Sequence, residues 1–394
     1  MSKPSEFKIS QLIGSVFVPS SLFSIGEYAL IPIIPASASH LGADLPTAAL
    51  IAGFVMLGTL LADIPAARFV TAVGERRAMM WSSLAAMAGI FVAAIASNIF
   101  ALGAAVLMVG ASAAVFALAR HAYMAEHVPI SHRARSLSFL GGTFRAGGFL
   151  GPLLSAGVIS IFGISAVFVL CMFFWLASAI ALLLNKDDTK STSVSTPMSY
   201  TLTIVKREKR KLLTVGLGAT ILCMLRTTRQ VGIPLWALHI GLPADKTALI
   251  IGIAGIIDFA LFYTSGQIMD KFGRRAAAVP TMIGLSVTHM LIIAATSETE
   301  FFILAIVTAL VNGIGSGLVL TLGADLAPVD ARNEFLAGFR LLIDGGVAAA
   351  PPALAVLAAT IGLGAGMFTF GAFGLVGAFL LHRYIPEFVQ HQKR

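Results

Sequence analysis

The sequence predicts an all-α membrane protein: twelve transmembrane helices in two pseudo-symmetric six-helix halves. Three observations lead there. Of 394 residues, 57% are hydrophobic and only 12% charged, whereas a soluble domain carries roughly 25% charged residues. Mean hydropathy is +0.90, and one core cannot hide that much apolar surface from water, so a bilayer must act as the solvent. The apolar runs have membrane-spanning length, and they repeat at a constant offset of 199 residues.

A membrane helix needs about 20 mostly apolar residues. Charged or Gly/Pro-rich breaks place spans near 10–36, 47–71, 77–97, 100–124, 136–161, 163–184, 212–236, 247–269, 276–296, 301–324, 336–360 and 363–384. Lys3 and Lys8 precede the first run, and Ala36-Ser37-Ala38 looks like a cleavage site. The run is too long for a signal peptide and Glu27 interrupts it, so a retained first helix is expected. Residues 1–185 form the first expected half and 212–394 the second. The linker between them, 186–211, opens with Lys186, Asp187 and Asp188. It ends in Lys206, Arg207, Lys209, Arg210 and Lys211, with room for a short surface helix at that basic end.

Of the 27 Lys and Arg residues, Arg145, Arg226 and Arg229 fall within spans. Lys246 alone shares a side with Asp44, Asp245 and Glu298, and the remaining 23 lie in or near the opposite loops and tails. Lys and Arg mark the cytoplasmic side. Both termini are therefore expected inside, in a bacterial inner membrane. Because the +8 net charge sits in these loops, nucleic-acid binding is not expected. Cys171 and Cys223 fall in apolar runs, which argues against a disulfide framework or a Cys-based zinc site. No HExxH, GxxxxGK[ST] or GxSxG occurs, so neither enzyme activity, cofactor nor metal is expected.

The 199-residue offset relates Pro35 to Pro234, His40 to His239, Gly42 to Gly241, Gly74 to Gly273, Arg76 to Arg275, Glu126 to Asp325, Pro129 to Pro328, Arg133 to Arg332 and Pro152 to Pro351. Transporters are commonly built from such parallel halves, with the substrate near the midplane between them.

The second half carries Gly266-Gln267-Ile268-Met269-Asp270-Lys271-Phe272-Gly273-Arg274-Arg275 between spans eight and nine. These residues resemble the GxxxDRxGRR loop of the major facilitator superfamily. The first-half counterpart is degenerate: Ala67, Thr71, Ala72, Gly74, Glu75, Arg76, Arg77. Asp63-Ile64-Pro65-Ala66 before it is a common companion in drug-efflux-like members. Gly147-Gly148-Phe149-Leu150-Gly151-Pro152 in span five is similar to the motif of the drug:proton antiporter branch, with the longer glycine spacing only partly kept. That branch's arginine early in span four is absent, Val106 standing near its place. The resemblance implies the twelve-helix fold, alternating access and proton-coupled efflux. It also implies a rigid bend in span five that limits leak, with simple helix packing as the equal alternative.

Physical roles follow for these residues. Gly266 would let two helices approach closely. Asp270, beside Gly273, Arg274 and Arg275, would latch onto a helix N-terminus of the other half, where the dipole favours a carboxylate; Arg274 and Arg275 otherwise only fix topology. With Thr71 in the matching first-half place, Asp63 is the substitute for gating. Pro152 removes a backbone donor and can kink span five.

Glu27, Asp63, Asp258 and Asp344 are acidic groups inside spans; Arg145, Arg226 and Arg229 are basic. Each costs a few kcal/mol near the bilayer centre and should face the protein interior, paired. The repeat sets Glu27 against Arg226 and Arg145 against Asp344, opposite charges at corresponding places. Arg145 is expected to reach Glu27, while Asp258 and Asp344 neutralise Arg226 and Arg229, which share a helix face. Fixed salt bridges are the bland alternative. Glu27, Asp258 and Asp344 are the proton-coupling candidates. Glu27, Arg145, Arg226, Arg229 and Asn312 are the cavity candidates, together with the aromatics Phe17, Phe23, Tyr28, Phe116 and Trp236. Arg120 is expected to snorkel at the end of span four, and His289 to be a peripheral hydrogen-bonded histidine. The leading expectation is a monomeric proton-driven exporter of small lipophilic compounds. The alternative is a transporter of an anionic or zwitterionic metabolite held by Arg226 and Arg229; a non-transporting sensor is more remote.

Overall fold

The computed structural model describes residues 12–185 and 198–389. Among them, twelve helices are long and apolar enough to cross a membrane. They are α1 (Ile13–His40), α2 (Leu45–Val73), α3 (Glu75–Ala94), α4 (Ile99–His127), α5 (Ile130–Phe162) and α6 (Ala166–Leu184), then α7 (Lys209–His239), α8 (Ala244–Phe272), α9 (Arg274–Ala294), α10 (Glu298–Leu326), α11 (Arg332–Ile361) and α12 (Leu363–Phe388). A further helix, Met198–Arg207, occupies the basic end of the linker; Lys186, Asp187 and Asp188 lie outside the described residues. Helices satisfy their own backbone groups, the condition for a chain in hydrocarbon.

The repeat is written into the backbone. A π-helical turn opens α1 at Ile13–Phe17 and recurs at Leu212–Gly216 in α7. Asn98 Oδ1 caps α4 by accepting from the Ala101 N–H at 2.9 Å, and Ser297 caps α10 in a reciprocal capping box with Glu300. Gly74 and Gly273 end α2 and α8 at φ 87° and 86°, a left-handed conformation that only glycine adopts without strain. The pairs Gly42/Gly241 and Gly163/Gly362 do the same elsewhere, carrying the offset as far as α6 and α12.

Two compact units emerge. The first is the described part of Met1–Gly42 and Phe54–Ser193 with Ala244–Gly252; the second is Ala43–Gly53, the described part of Val194–Pro243, and Ile253–Arg394. The first turns of α2 fall in the second unit and those of α8 in the first. Close packing accompanies each of these: a Cβ on Gly53 would collide with the Pro351 ring, and one on Gly252 with Leu153.

In the first unit α1 is clamped by α5 and α6. Cβ atoms on Gly147 and Gly151 would stand 2.6 Å from Ser24 Cβ and from the Ala29 nitrogen, so the glycines seat α5 directly on the α1 backbone. Ser155 Oγ donates to the Ala29 carbonyl at 2.8 Å. Trp175 is wholly buried and donates from Nε1 to the Phe23 carbonyl at 3.1 Å, while Phe23 stacks on Phe116 with ring centroids 4.1 Å apart. In the second unit buried Trp236 donates to the Ala295 carbonyl at 2.8 Å.

The end of each unit that carries the basic loops is tied in a parallel way. Arg76 donates to the Leu182 and Leu183 carbonyls at the end of α6, at 2.6 and 3.1 Å. Its repeat mate Arg275 reaches His382 on α12, the mate of Leu183. The linker helix docks through Ile204 and through Val205 against Gly338. Arg207 then forms two bonds to Asp330, at 2.8 and 3.1 Å.

Candidate functional site

The second unit gathers four of the intramembrane polar residues into one network. Arg226 and Arg229 lie three residues apart on α7 and project from one face. Arg226 Nε donates to Asn312 Oδ1 on α10 at 2.9 Å, and its Nη2 to the Gly315 carbonyl at 2.8 Å. That carbonyl is available because α10 breaks at Gly315–Gly317, with Gly317 at φ 79°. Asn312 Nδ2 donates to Asp258 Oδ2 on α8 at 2.6 Å, and Arg229 Nη2 reaches the same oxygen at 3.2 Å. Asp258 Oδ1 is buried and has no hydrogen-bond partner. Asp258 Oδ2 thus takes both Arg229 and Asn312, Arg226 is held through Asn312 and the Gly315 carbonyl, and the second Asp258 oxygen is left as an acceptor for a proton or a donor. His289 closes the inner side: it is 2% exposed, with Nε2 3.0 Å from Thr228 Oγ1 and Nδ1 2.7 Å from the Leu285 carbonyl. It is hydrogen-bonded as expected but buried rather than peripheral.

Among the described residues Asp344 makes no ion pair with the α7 arginines. It pairs with Arg340 one turn away on α11, at 3.1 Å. The i,i+4 neighbour is nearer than another helix, and Asp258 already occupies the arginine side.

In the first unit, Glu27 stands half-buried on α1. Among the described residues it makes no ion pair with Arg145, contrary to expectation; the charge acting on it is Arg120. Arg120 does not snorkel. It is 8% exposed, its guanidinium lies 5.1 Å from the centroid of the Phe144 ring, and its Nε has no hydrogen-bond partner. Tyr28 meets the same Phe144 edge-on at 5.2 Å. Arg120 is the functional candidate that sequence reasoning missed. Its place near the basic end of α4 suggested the surface, whereas the helix phase turns it inward. Arg145 is half-buried on α5. An apolar groove of about 560 Å³ between α2, α3 and α4, lined by residues such as Phe69, Trp81 and Met108, is also absent from the sequence reading.

The gating residues part company. Gly147 and Gly151 make close helix contacts, as described; Gly148 meets only the edge of Tyr28, 3.9 Å from a built Cβ. Pro152 lies within the continuous α5 helix. Gly266 does not bring helices together: a Cβ there would meet nothing within 4 Å. Asp270 is 82% exposed at the end of α8 and pairs at 3.3 Å with Arg274 of its own loop. Arg274 also binds Asp325 at 2.9 Å. Asp63 is half-buried on α2.

The family model described as Major Facilitator Superfamily matches residues 16–257 and 215–394. No curated protein matches this chain. Solved structures do. A POT family transporter in complex with a thioalcohol-conjugated peptide has TM-score 0.81 at 12% identity, covering 96% of each chain. A D-xylose-proton symporter has TM-score 0.73 at 14% identity, covering 98% of each. A bacterial homologue of the human lysosomal transporter Spinster has TM-score 0.77 at 13% identity, again covering 98% of each.

Proposed function

This chain belongs to the Major Facilitator Superfamily, and on that premise we propose that it is a proton-coupled transporter of a small anionic or zwitterionic metabolite. The observation that carries this reading is the convergence of two arginines of one α7 face on the Arg226–Asn312–Asp258–Arg229 network. An arginine fork suits a carboxylate or phosphate, and the open Asp258 oxygen suits an ammonium donor or a proton. Substrate carboxylate binding to Arg226 and Arg229 draws Arg229 away from Asp258, which then takes up a proton, so cargo and proton move together. Glu27, facing Arg120, is the second proton site in this reading. Half-buried Arg145 lies on α5 of the same unit, and Asp344, bound to Arg340, belongs to the charges of the second unit. Asp63, Gly147, Gly151, Pro152, Gly266, Asp270, Gly273, Arg274 and Arg275 serve the conformational cycle. The similar folds include carriers of peptides and of D-xylose, polar cargo that fits this reading better than drug efflux. We place the basic loops and both termini in the cytoplasm, across a bacterial inner membrane.

The test is uptake into proteoliposomes under an imposed proton gradient, with labelled dipeptides, monocarboxylates and ethidium as separate probes. A dipeptide or carboxylate should accumulate in a gradient-dependent manner, Arg226→Met should abolish it, and Arg226→Lys should retain part. A second reading, proton-driven export of lipophilic compounds, is favoured by one observation: Glu27, facing Arg120, adjoins Tyr28, whose ring meets Phe144 edge-on. Ethidium transport that survives Arg226→Met and disappears with Glu27→Gln would replace the first reading by the second.

A further inference from the structure

The apolar groove between α2, α3 and α4 belongs wholly to the first unit and lies apart from the charge networks described above. Its shape has a local cause. Midway along, α2 and α4 touch backbone to backbone: a Cβ on Gly58 would collide with the Leu107 carbonyl, and one on Gly110 with the Val55 carbonyl. Thr59 Oγ1 adds a hydrogen bond to the Gly110 carbonyl at 3.1 Å. One turn further along α2 the glycine contact ends. Ala62, Pro65 and Ala66 on α2, with Ala85 on α3 and Ala111 on α4, then line an opening of about 560 Å³. Its rim carries Phe69, Trp81 and Met108, all three exposed.

The lining offers hydrogen bonds to nothing that might enter. Its two serines turn back on their own helices: Ser82 Oγ donates to the Met79 carbonyl at 2.9 Å, and Ser112 Oγ to the Met108 carbonyl at 2.8 Å. A polar cargo would lose its water there without replacement, whereas hydrocarbon fits. The depth is also informative. Phe69 lies four residues before the end of α2 and Trp81 six after the start of α3, which is about 6 and 9 Å at 1.5 Å per residue. A headgroup layer is roughly 5–8 Å thick on each side of the hydrocarbon. The mouth therefore stands at the boundary where tryptophan is enriched.

Charge selects among hydrophobic occupants. Arg68, next to Phe69, and Arg77, one turn before Trp81 on α3, are both exposed. Glu75 is buried, Asp63 is half-buried, and Arg76 is turned onto the Leu182 and Leu183 carbonyls. On α2 and α3 the exposed charge at this end is thus positive. A second copy of the chain is a poor match, because a symmetric contact in the same orientation sets Arg68 and Arg77 against their own counterparts. A lipophilic cation meets the same repulsion.

We propose that this groove binds one anionic phospholipid in the leaflet that the basic loops face. An acyl chain lies against Phe69, Trp81 and Met108, and Arg68 and Arg77 hold the phosphate, their stems running along the apolar surface to the interface. The bound headgroup bridges the end of α2 and the start of α3 across the Gly74 turn. The site does not depend on which cargo is carried.

The experiment uses the full chain in phosphatidylcholine vesicles containing a small fraction of lipid with brominated chains, either phosphatidylglycerol or phosphatidylcholine. The signal is the part of the emission loss that Trp81→Phe abolishes. Each basic side chain near an anionic headgroup is worth about five-fold in binding. Phosphatidylglycerol should therefore be preferred by roughly twenty-fold, Arg68→Gln and Arg77→Gln should each lower that preference by about five-fold, and the double variant should bring it close to one. Both positions are exposed, so neither change threatens folding. Ala85→Leu, which fills the groove and leaves the arginines in place, should lower the preference as well; a headgroup-only contact would be indifferent to it. Equal quenching by the two lipids, a preference that survives the double variant or Ala85→Leu, or quenching that fades as the chain is concentrated in the vesicle, the mark of a second copy in the groove, would each overturn the proposal.

Discussion

Removing the carboxylate at Asp258 should unbalance the second unit in a way that removing a partner arginine repairs. Arg229 and Asp258 are 19% and 16% exposed and meet at 3.2 Å. For charge centres about 4 Å apart at an effective dielectric of about 20, the gross attraction is ~4 kcal/mol. Desolvation of both groups offsets much of it, and measured couplings between contacting residues run roughly 0.5–3 kcal/mol. Asp258→Asn keeps an acceptor for Asn312 but leaves Arg229 without its carboxylate. Arg229→Met leaves one guanidinium and one carboxylate. The double variant removes both members of the pair and leaves neither charge alone, so its destabilisation should fall short of the sum of the singles by about 1–3 kcal/mol. The assay is equilibrium unfolding in mixed detergent micelles with increasing dodecyl sulfate, followed by circular dichroism. Additivity within ~0.5 kcal/mol would show that the two side chains are neighbours without energetic coupling, and the charge argument for the site would fail with it.

Gly151→Ala should destabilise by about 1–3 kcal/mol through overpacking, because the new Cβ would meet Ala29 backbone at 2.6 Å. Gly266→Ala, where nothing lies within 4 Å, should be neutral or stabilising by up to about 1 kcal/mol; thermal unfolding in detergent ranks the two. The linker helix should release in acid. Arg207 holds the Asp330 carboxyl below its ordinary range, and Lys211 and Arg207 do the same for Glu208. Folded values below unfolded ones mean that the clamp is fully present above the ordinary carboxylate range near pH ~4 and is lost as pH falls through the lower folded values. A spin label on the exposed side of Met198–Arg207 should gain mobility only below that range, and Asp330→Asn should gain it at neutral pH. Ser297→Ala removes the cap of α10 and should cost about 1 kcal/mol, read as a lowered Tm.

The fold was legible because its strongest signals are one-dimensional. Apolar length marks each span, and the 199-residue offset recurs in glycines that must adopt positive φ, so Gly42/Gly241 and Gly74/Gly273 announce the joints directly. The pairing of Arg229 with Asp258 was legible too, since few charges in a membrane have few choices of partner. Helix rotation was not. A span that is apolar all round gives no phase, so nothing in the local pattern distinguishes Arg120 turned inward from Arg120 at the surface, or Gly266 on an open face from Gly151 in a contact. Asp344 misled for a related reason: it has an arginine one turn away, Arg340, and a local i,i+4 partner competes with a distant one.

The three tryptophans have a spectroscopic consequence. Trp175 is buried at 0% exposure in the first unit, Trp236 at 5% in the second, and Trp81 is 52% exposed on the rim of the α2–α4 groove. Their emission should therefore separate by environment. Brominated lipid should quench Trp81 and spare the other two. With Trp81 replaced by Phe, one further Trp→Phe change in either unit leaves a single intrinsic fluorophore that reports on the other, with no dye attached.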